Sequence, residues 1–121
     1  MQTILVISRR SAGNEDLRAF VSEWGGIWDG DATLNHGVIQ RGPATIFCNR
    51  ATSMSVNYSD EDCVEIAGLI GTYPQISVAI DISRGAGSQE LALQFANGLV
   101  QRWGGLVDGN RVVQIENGWQ G

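Results

Sequence analysis

One eight-residue stretch occurs twice in this chain and constrains how the rest of it can fold. Residues 24–31 read Trp-Gly-Gly-Ile-Trp-Asp-Gly-Asp, and residues 103–110 read Trp-Gly-Gly-Leu-Val-Asp-Gly-Asn. In each octet the tryptophan closes the apolar stripe of a predicted helix, and a glycine directly after a helix favours the left-handed conformation that ends it. Each octet therefore predicts a helix whose chain returns at once to a sheet.

The segments that precede the two octets also match. An Ile-Ser-Arg triplet occurs at 7–9 and again at 82–84, and a phenylalanine follows each triplet at the same offset, as Phe20 and Phe95. The second octet then begins four residues later than the first. Four residues make about one helical turn, so the longer helix keeps its apolar stripe on the same side. We interpret the match as an internal duplication.

The order of the predicted elements indicates the fold class. Apolar runs at 2–8 and 76–82 predict buried strands, and each is followed by an amphipathic helix and a strand pair. We expect one domain over residues 1–121, with the duplication at approximately 2–49 and 76–116. The expected architecture is an α/β (α+β) two-layer fold. It has a mixed, largely antiparallel sheet with helices on one face, and two related β-α-β-β halves joined by a helix, each resembling a ferredoxin-like half.

Local signals predict where these elements begin and end. Asn14, Ser59 and Ser88 precede the three helical patterns and are expected to cap them. The acidic residues after Ser59 favour a helix start through the helix dipole. Both Asp-Gly pairs, at 29–30 and at 108–109, predict tight hairpin turns.

The charge balance narrows the classes of partner. Thirteen acidic residues face eight basic ones, all of them arginine, for a formal charge of −5. Phosphate repels such a domain, so nucleic-acid binding is not expected. A basic protein partner suits the charge, and a charge that only keeps the protein soluble is an equal alternative.

Hydropathy and the first residues bear on localisation. No apolar run has the length of a membrane span. Residues 1–8 lack the basic region of a signal peptide and resemble a strand. We therefore expect a cytoplasmic protein that does not associate with membranes.

The residues that carry metal and redox chemistry are few. Cys48 and Cys63 are the only cysteines and His36 is the only histidine. A reducing cytoplasm favours buried free thiols, and a disulfide stays open. Zinc ligands with paired cysteine spacing are missing, so neither a metal nor another cofactor is expected.

Three features invite a catalytic or ligand-binding interpretation. The loop at 85–87, Gly-Ala-Gly, lies where phosphate-binding loops occur, but Glu90 replaces the third glycine of that motif, which favours a plain connection. His36 is interpreted as an exposed loop residue. Asp81 is either a buried, perturbed carboxylate or, as is more common at a strand end, a residue that caps a loop or pairs with an arginine, for which Arg84 is close by. We therefore do not expect an enzyme.

Acidic clusters and one tryptophan are the candidates for partner binding. Acids cluster at the turn of the first octet and at the start of the middle helix, and a tryptophan lies in the polar C-terminal tail. Turns and first helical turns are usually exposed. The candidate residues are Asp29, Asp31, Asp60, Glu61, Asp62 and Trp119.

A family resemblance gives these candidates a functional context. Residues 91–96 read Leu-Ala-Leu-Gln-Phe-Ala, and with the Trp-Gly-Gly-Leu-Val-Asp run at 103–108 they resemble C-terminal segments of the immunity proteins that neutralise bacterial polymorphic or contact-dependent toxins. The resemblance covers about the last third of the chain. It implies tight binding to one cognate toxin, often a basic nuclease, with no reaction of its own.

Two other functions remain open at this point. A small-molecule sensor or regulatory domain of the duplicated ferredoxin-like type would bind a ligand between the halves, near Gly85 to Ser88. A small enzyme would use Asp81 or His36, and it is the least favoured of the three. The oligomeric state is open.

Overall fold

The computed structural model describes residues 2–30, 35–51, 53–109, 112–115 and 118–119. Within them lie three α-helices, one short 3₁₀ turn and eight strands. The helices are α1 (Asn14–Glu23), α2 (Asp60–Ile70) and α3 (Ser88–Trp103), and the 3₁₀ turn is Met54–Val56. The strands are β1 (Gln2–Ser8), β2 (Ile27–Gly30), β3 (Asn35–Arg41), β4 (Ala44–Arg50), β5 (Ile76–Ile82), β6 (Gly105–Gly109), β7 (Val112–Ile115) and β8 (Gly118–Trp119).

All eight strands belong to one sheet in the order β2-β3-β4-β5-β1-β6-β7-β8. Every neighbouring pair is antiparallel. The first strand lies at the centre, where Val6 is opposite Val78 of β5 and Val107 of β6. The predicted α+β fold with an antiparallel sheet and packed helices is confirmed.

The alternation of side chains along β1 defines two faces of the sheet. Ile4 and Val6 belong to a core cluster with residues of α1 and α3, and we call this side the front face. Ile7 belongs to a second cluster with residues of α2, with Leu5 packed against it, and we call that side the rear face. The sheet and the helices α1 and α3 on its front form the two expected layers. The third helix, α2, packs on the other side and covers part of the rear face.

The front core is built around aromatic side chains from the two long helices. The ring of Phe20 lies 5.2 Å from that of Phe95, and Trp24 lies 5.3 Å from Phe95, both edge to face. Phe95 is fully buried and Trp103 nearly so. Burying a phenylalanine side chain stabilises a fold by about 1.5–3 kcal/mol. The tryptophans that begin the octets therefore pack between α1 and α3 and stabilise the contact of these helices.

The glycines of the octets are required by the backbone. Gly25 and Gly104 both have a φ of 75°, as expected for residues that end helices. Gly105 has a φ of 117°, and a Cβ there would lie 1.8 Å from the carbonyl oxygen of Ile7. Gly105 therefore allows β6 to approach β1.

The predicted Asp-Gly turns are wrong in position. Asp29 and Asp108 both lie within strands, opposite His36 and Val113. The glycines after them are also paired in the ladder, so each connection begins one residue later than expected. In the second octet, Leu106 and Val107 on one side and Val112 and Val113 on the other continue the strand pairing past the aspartate.

The two halves share an order of elements but join the sheet differently. β6, which follows α3, pairs with the central strand β1. β2, which follows α1, is an edge strand, and β4 makes the contact with β5 instead. Equivalent residues of the two octets therefore have different surroundings. The internal duplication itself stays a prediction.

One of the three predicted caps is confirmed. Ser59 Oγ accepts a hydrogen bond of 3.1 Å from the Asp62 backbone, and the Asp62 carboxylate accepts one of 3.1 Å from the Ser59 backbone. The cap of α1 is Gly13 rather than Asn14. Ser88 is the first residue of α3, and its buried hydroxyl accepts from the backbone of Thr45 at 3.0 Å instead.

The two cysteines are buried free thiols on opposite faces of the sheet. Cys48 belongs to the front cluster and Cys63 to the cluster beneath α2. Burial raises the pKa of the Cys48 thiol to about 12.

No helix in the described part of the chain is long and apolar enough to cross a membrane.

Candidate interaction site on the rear face

Acidic side chains are concentrated on the rear of the molecule. The strand positions next to Asp29, Asp81 and Asp108 pack on the front face, so these three carboxylates point to the rear. The other acids of this side are carried by α2, which covers part of that face. The rear carboxylates are Asp29, Asp60, Glu61, Asp62, Glu65, Asp81 and Asp108.

The arginines lie elsewhere. Arg41 and Arg50 are the only described arginines on strands, and their register places both on the front face. The Arg41 guanidinium lies 5.0 Å from the Trp24 ring centre, and Arg50 donates a hydrogen bond of 2.6 Å to the carbonyl of Ala12. The other described arginines belong to α1, α3 and loops. Among the described residues, therefore, no arginine lies on α2 or at a rear-facing strand position.

Part of the rear face is left uncovered by α2. Ile27, Val38 and Phe47 are cross-strand neighbours on β2, β3 and β4, and we call them the open row. Ile27 is 72% exposed, and Val38 and Phe47 are half-buried. The row continues to Asp81, opposite Phe47, whose carboxylate accepts a hydrogen bond of 2.6 Å from Thr3. The open row therefore forms an apolar strip that is bordered by acidic side chains.

The predicted acidic residues lie on this face where they are described. The side chain of Asp29 is 77% exposed at the edge strand. Asp60 and Glu61 are exposed at the start of α2, and Asp62 is half-buried because it takes part in the capping box. Asp31 lies outside the described residues. The backbone of Trp119 belongs to β8, and its side chain lies outside what is described.

The two candidate catalytic residues have ordinary surface partners. His36 lies on β3 and not in a loop, and its Nε2 is 3.8 Å from Oδ2 of Asp29. The side chain of His36 is 31% exposed and that of Asp29 is 77% exposed, so neither is enclosed. Asp81 is bonded to Thr3 rather than to the expected Arg84. Neither residue lies in an enclosed cleft that would prepare it for proton transfer.

A cavity between α2 and β6 contains a site that sequence reasoning missed. Its volume is about 170 Å³, and its walls are Ile7, Tyr58, Asp62, Glu65, Ile66, Leu69 and Asp108. Asp108 is only 8% exposed, and its Oδ2 accepts a 2.9 Å hydrogen bond from the Tyr58 hydroxyl. Its Oδ1 is buried without a hydrogen-bond partner among the described residues.

A sequence signal for this cavity did exist. The helical period places Asp62, Glu65, Ile66 and Leu69 on one side of α2. The site was missed because the Asp-Gly pattern assigned Asp108 to a turn.

The loop at Gly85 to Ser88 borders a second, shallower cavity. Its volume is about 500 Å³, and Arg84, Ser88 and Glu90 are among its walls. A Cβ at Gly85 would lie 1.8 Å from the Pro43 carbonyl oxygen, so packing explains this glycine. The Ser88 hydroxyl also contacts Ser83 Oγ at 2.9 Å. The conformation of this loop is therefore explained by its packing and hydrogen bonds within the fold.

Metal ligation and similarity to known proteins give no further information on the site. The described residues contain no group of three or more histidine, cysteine or acidic side chains that could hold a metal ion. Comparisons with protein-family models, with curated protein sequences and with solved structures found no match.

Proposed function

We propose that this protein is a cytoplasmic immunity protein that binds a cognate bacterial toxin domain, such as a nuclease, through its rear face. The observation that carries the proposal is the separation of charge. Seven described carboxylates lie on the rear, and no described arginine lies on α2 or at a rear-facing strand position; the described arginines belong to α1, α3, front-facing strand positions and loops. The action is binding alone, without a reaction of its own.

Charge separation of this kind favours a basic partner. A toxin that acts on nucleic acid has a cationic active face, because phosphate contacts dominate the binding of its substrate. Carboxylates gathered on one side of an inhibitor attract that face and orient the encounter. Asp29 at the sheet edge and Asp60 at the start of α2 are both exposed on that side.

The open row supplies the apolar part of the contact. Protein interfaces combine a dehydrated centre, often aromatic, with a polar rim. Phe47 lies at one end of the open row and Ile27 at the other, and Asp29 and Asp81 border it. The arrangement resembles a small hot spot with an acidic rim, and a basic protein surface complements it.

The proposal predicts that a toxin domain is encoded immediately upstream of this chain, and the test uses that domain. We expect the two proteins to co-purify after co-expression, and Phe47→Arg to abolish the complex because it adds bulk and a like charge to the contact. The matched control is Gln94→Arg, which adds the same charge at an exposed position of α3. Wild-type protein that does not bind the domain would contradict the proposal, and so would equal binding by both variants.

One observation favours a second candidate, a small-molecule sensor. The cavity beside the loop at Gly85 to Ser88 has Arg84 and Glu90 in its walls, which complement a ligand that carries both charges. Hydrogen exchange with each of the twenty amino acids tests this function on the isolated protein. Slower exchange of the first amides of α3 with one amino acid would favour the sensor over the toxin-binding function.

A further inference from the structure

We propose that the cavity between α2 and β6 binds an alkylguanidinium or alkylammonium ion, such as the charged head of an arginine or lysine side chain together with its aliphatic stem. The selectivity for such a cation is a property of this chain alone. The assignment of the cation to a side chain of a protein partner rests on the proposed function.

The buried carboxylate provides the first step of the argument. Asp108 is 8% exposed, one of its oxygens accepts from Tyr58, and the other has no hydrogen-bond partner among the described residues. A buried polar atom without a partner is destabilising, and more so when it is charged. A donor that reaches Asp108 through the cavity removes that penalty, so binding there is favoured.

The walls of the cavity select the charge of the ligand. Asp62 and Glu65 line the same space as Asp108, and no arginine is among the lining residues. Three carboxylates repel an anion and attract a cation. The planar guanidinium offers five donors in a fixed fork, so it satisfies several acceptors at once. We therefore expect guanidinium to bind more tightly than ammonium.

The shape of the cavity selects the rest of the ligand. Its volume of about 170 Å³ is close to that of engineered cavities of about 150 Å³ that hold a benzene molecule. Ile66 and Leu69 of α2 line it opposite Ile7, and Leu69 is 46% exposed. The stem of an arginine or lysine packs well against such apolar walls.

The test uses n-butylguanidinium, n-butylammonium and the neutral isostere n-butylurea on the isolated protein. Methyl chemical shifts of Ile66 and Leu69 report occupancy in a titration. We expect both cations to shift these signals, butylguanidinium at the lower concentration, and butylurea to cause no saturable change. Asp108→Asn keeps an acceptor for Tyr58 and should weaken cation binding at least about tenfold. Glu15→Gln, which removes one negative charge at an exposed position of α1, is the matched control.

A second pair of variants applies if Asp108→Asn does not fold. Leu69→Ala removes a half-exposed wall of the cavity, and Val64→Ala shortens a 67% exposed residue of the same helix that does not line it. We expect Leu69→Ala to weaken butylguanidinium binding at least about threefold and Val64→Ala to leave it unchanged. Equal binding of butylurea and butylguanidinium would overturn the proposal, as would unchanged binding by Asp108→Asn or by Leu69→Ala.

The affinity of the free cation separates the two sources of ligand. A dissociation constant in the millimolar range indicates a side chain whose remaining affinity comes from the rest of an interface. A micromolar constant indicates a free small molecule. Because the titration needs no toxin, the two proposals can fail separately. Binding of the cation without binding of the toxin domain would support the cation site and contradict the proposed function. Binding of the toxin domain without binding of the cation would support the proposed function and contradict the cation site.

Discussion

Arg102 of α3 donates two hydrogen bonds to Glu23 of α1, Nη2 to Oε1 at 2.7 Å and Nη1 to Oε2 at 3.0 Å. The same guanidinium lies 5.3 Å from the ring centre of Phe20. The pair joins the last turns of the two front helices, next to the octets, in the two-point geometry that arginine favours. It also neutralises charge on the front, so the excess of negative charge remains on the rear.

The first prediction concerns the pH dependence of this pair. The hydrogen bonds from Arg102 lower the pKa of Glu23. A lowered pKa gives stability that is present above the pKa of the unfolded state and is lost as pH falls through the folded value. Glu23→Gln should therefore lower the urea midpoint slightly at pH 7, and this difference from wild type should be smaller at pH 3, below the ordinary pKa of 4.5. The effect is small because the pair is exposed.

The control for that prediction is the Arg102→Gln background. There, Glu23→Gln should shift the midpoint equally at both pH values. A difference between wild type and Glu23→Gln that is as large at pH 3 as at pH 7 would show that the side chain acts through packing instead.

The second prediction ranks two glycines of the octets. Gly25→Ala forces alanine to a φ of 75° with open space around it, which costs about 1–2 kcal/mol. Gly105→Ala adds a clash with the Ile7 carbonyl and should cost more, because β1 and β6 must separate. Urea denaturation followed by tryptophan fluorescence measures both losses. Equal losses, or unchanged midpoints, would contradict the structural role assigned to the octets.

The third prediction concerns alkaline pH. Burial raises the pKa of Cys48 from 9.0 to about 12, so above pH 9 the thiol ionises in the unfolded chain before it does so in the folded one. Stability is therefore lost as pH rises from about 9 to about 12, by up to about 1.4 kcal/mol per pH unit. Cys48→Ala lacks this contribution. Between pH 8 and pH 10.5 its urea midpoint should fall less than that of wild type, and equal falls would refute the argument.

The fourth prediction concerns the rate of partner binding. Asp60→Asn with Glu61→Gln removes two exposed charges and leaves Asp62 to complete the capping box of α2. We expect slower association with the toxin domain and a shallower dependence on salt, with dissociation nearly unchanged. Asp29→Asn should act in the same direction. Glu90→Gln on α3 is the control, and wild-type association by all three variants would remove the acidic face from the proposal.

The sequence predicts the elements of this fold better than their arrangement. The runs at 2–8 and 76–82 consist mostly of β-branched and aliphatic residues, and the prediction of a buried strand is correct for both. The same property hides the side on which α2 packs, because Ile4 and Val6 offer one apolar face and Leu5 and Ile7 offer the other. The stripe of a helix indicates that it must be buried, and leaves open which face of the sheet it covers.

The candidate site shows how far a local pattern can predict function. Asp29 and Asp108 occupy the same place in the two octets, yet one is 77% exposed at its side chain and the other is 8% exposed overall. The difference arises because β2 is an edge strand and β6 is paired on both sides. Strand order is a tertiary property, so the octet alone could not assign Asp108 to a cavity.

The central position of β1 has a consequence for how the chain acquires its structure during synthesis. The first strand made is held between β5 and β6, which are made last among the central strands. Its residues must wait until residue 109 has left the ribosome before both of their ladders can form. Contacts this distant in sequence slow folding and leave apolar surface exposed meanwhile. One edge of β1 in the nascent chain is therefore unpaired until residue 109 has been made.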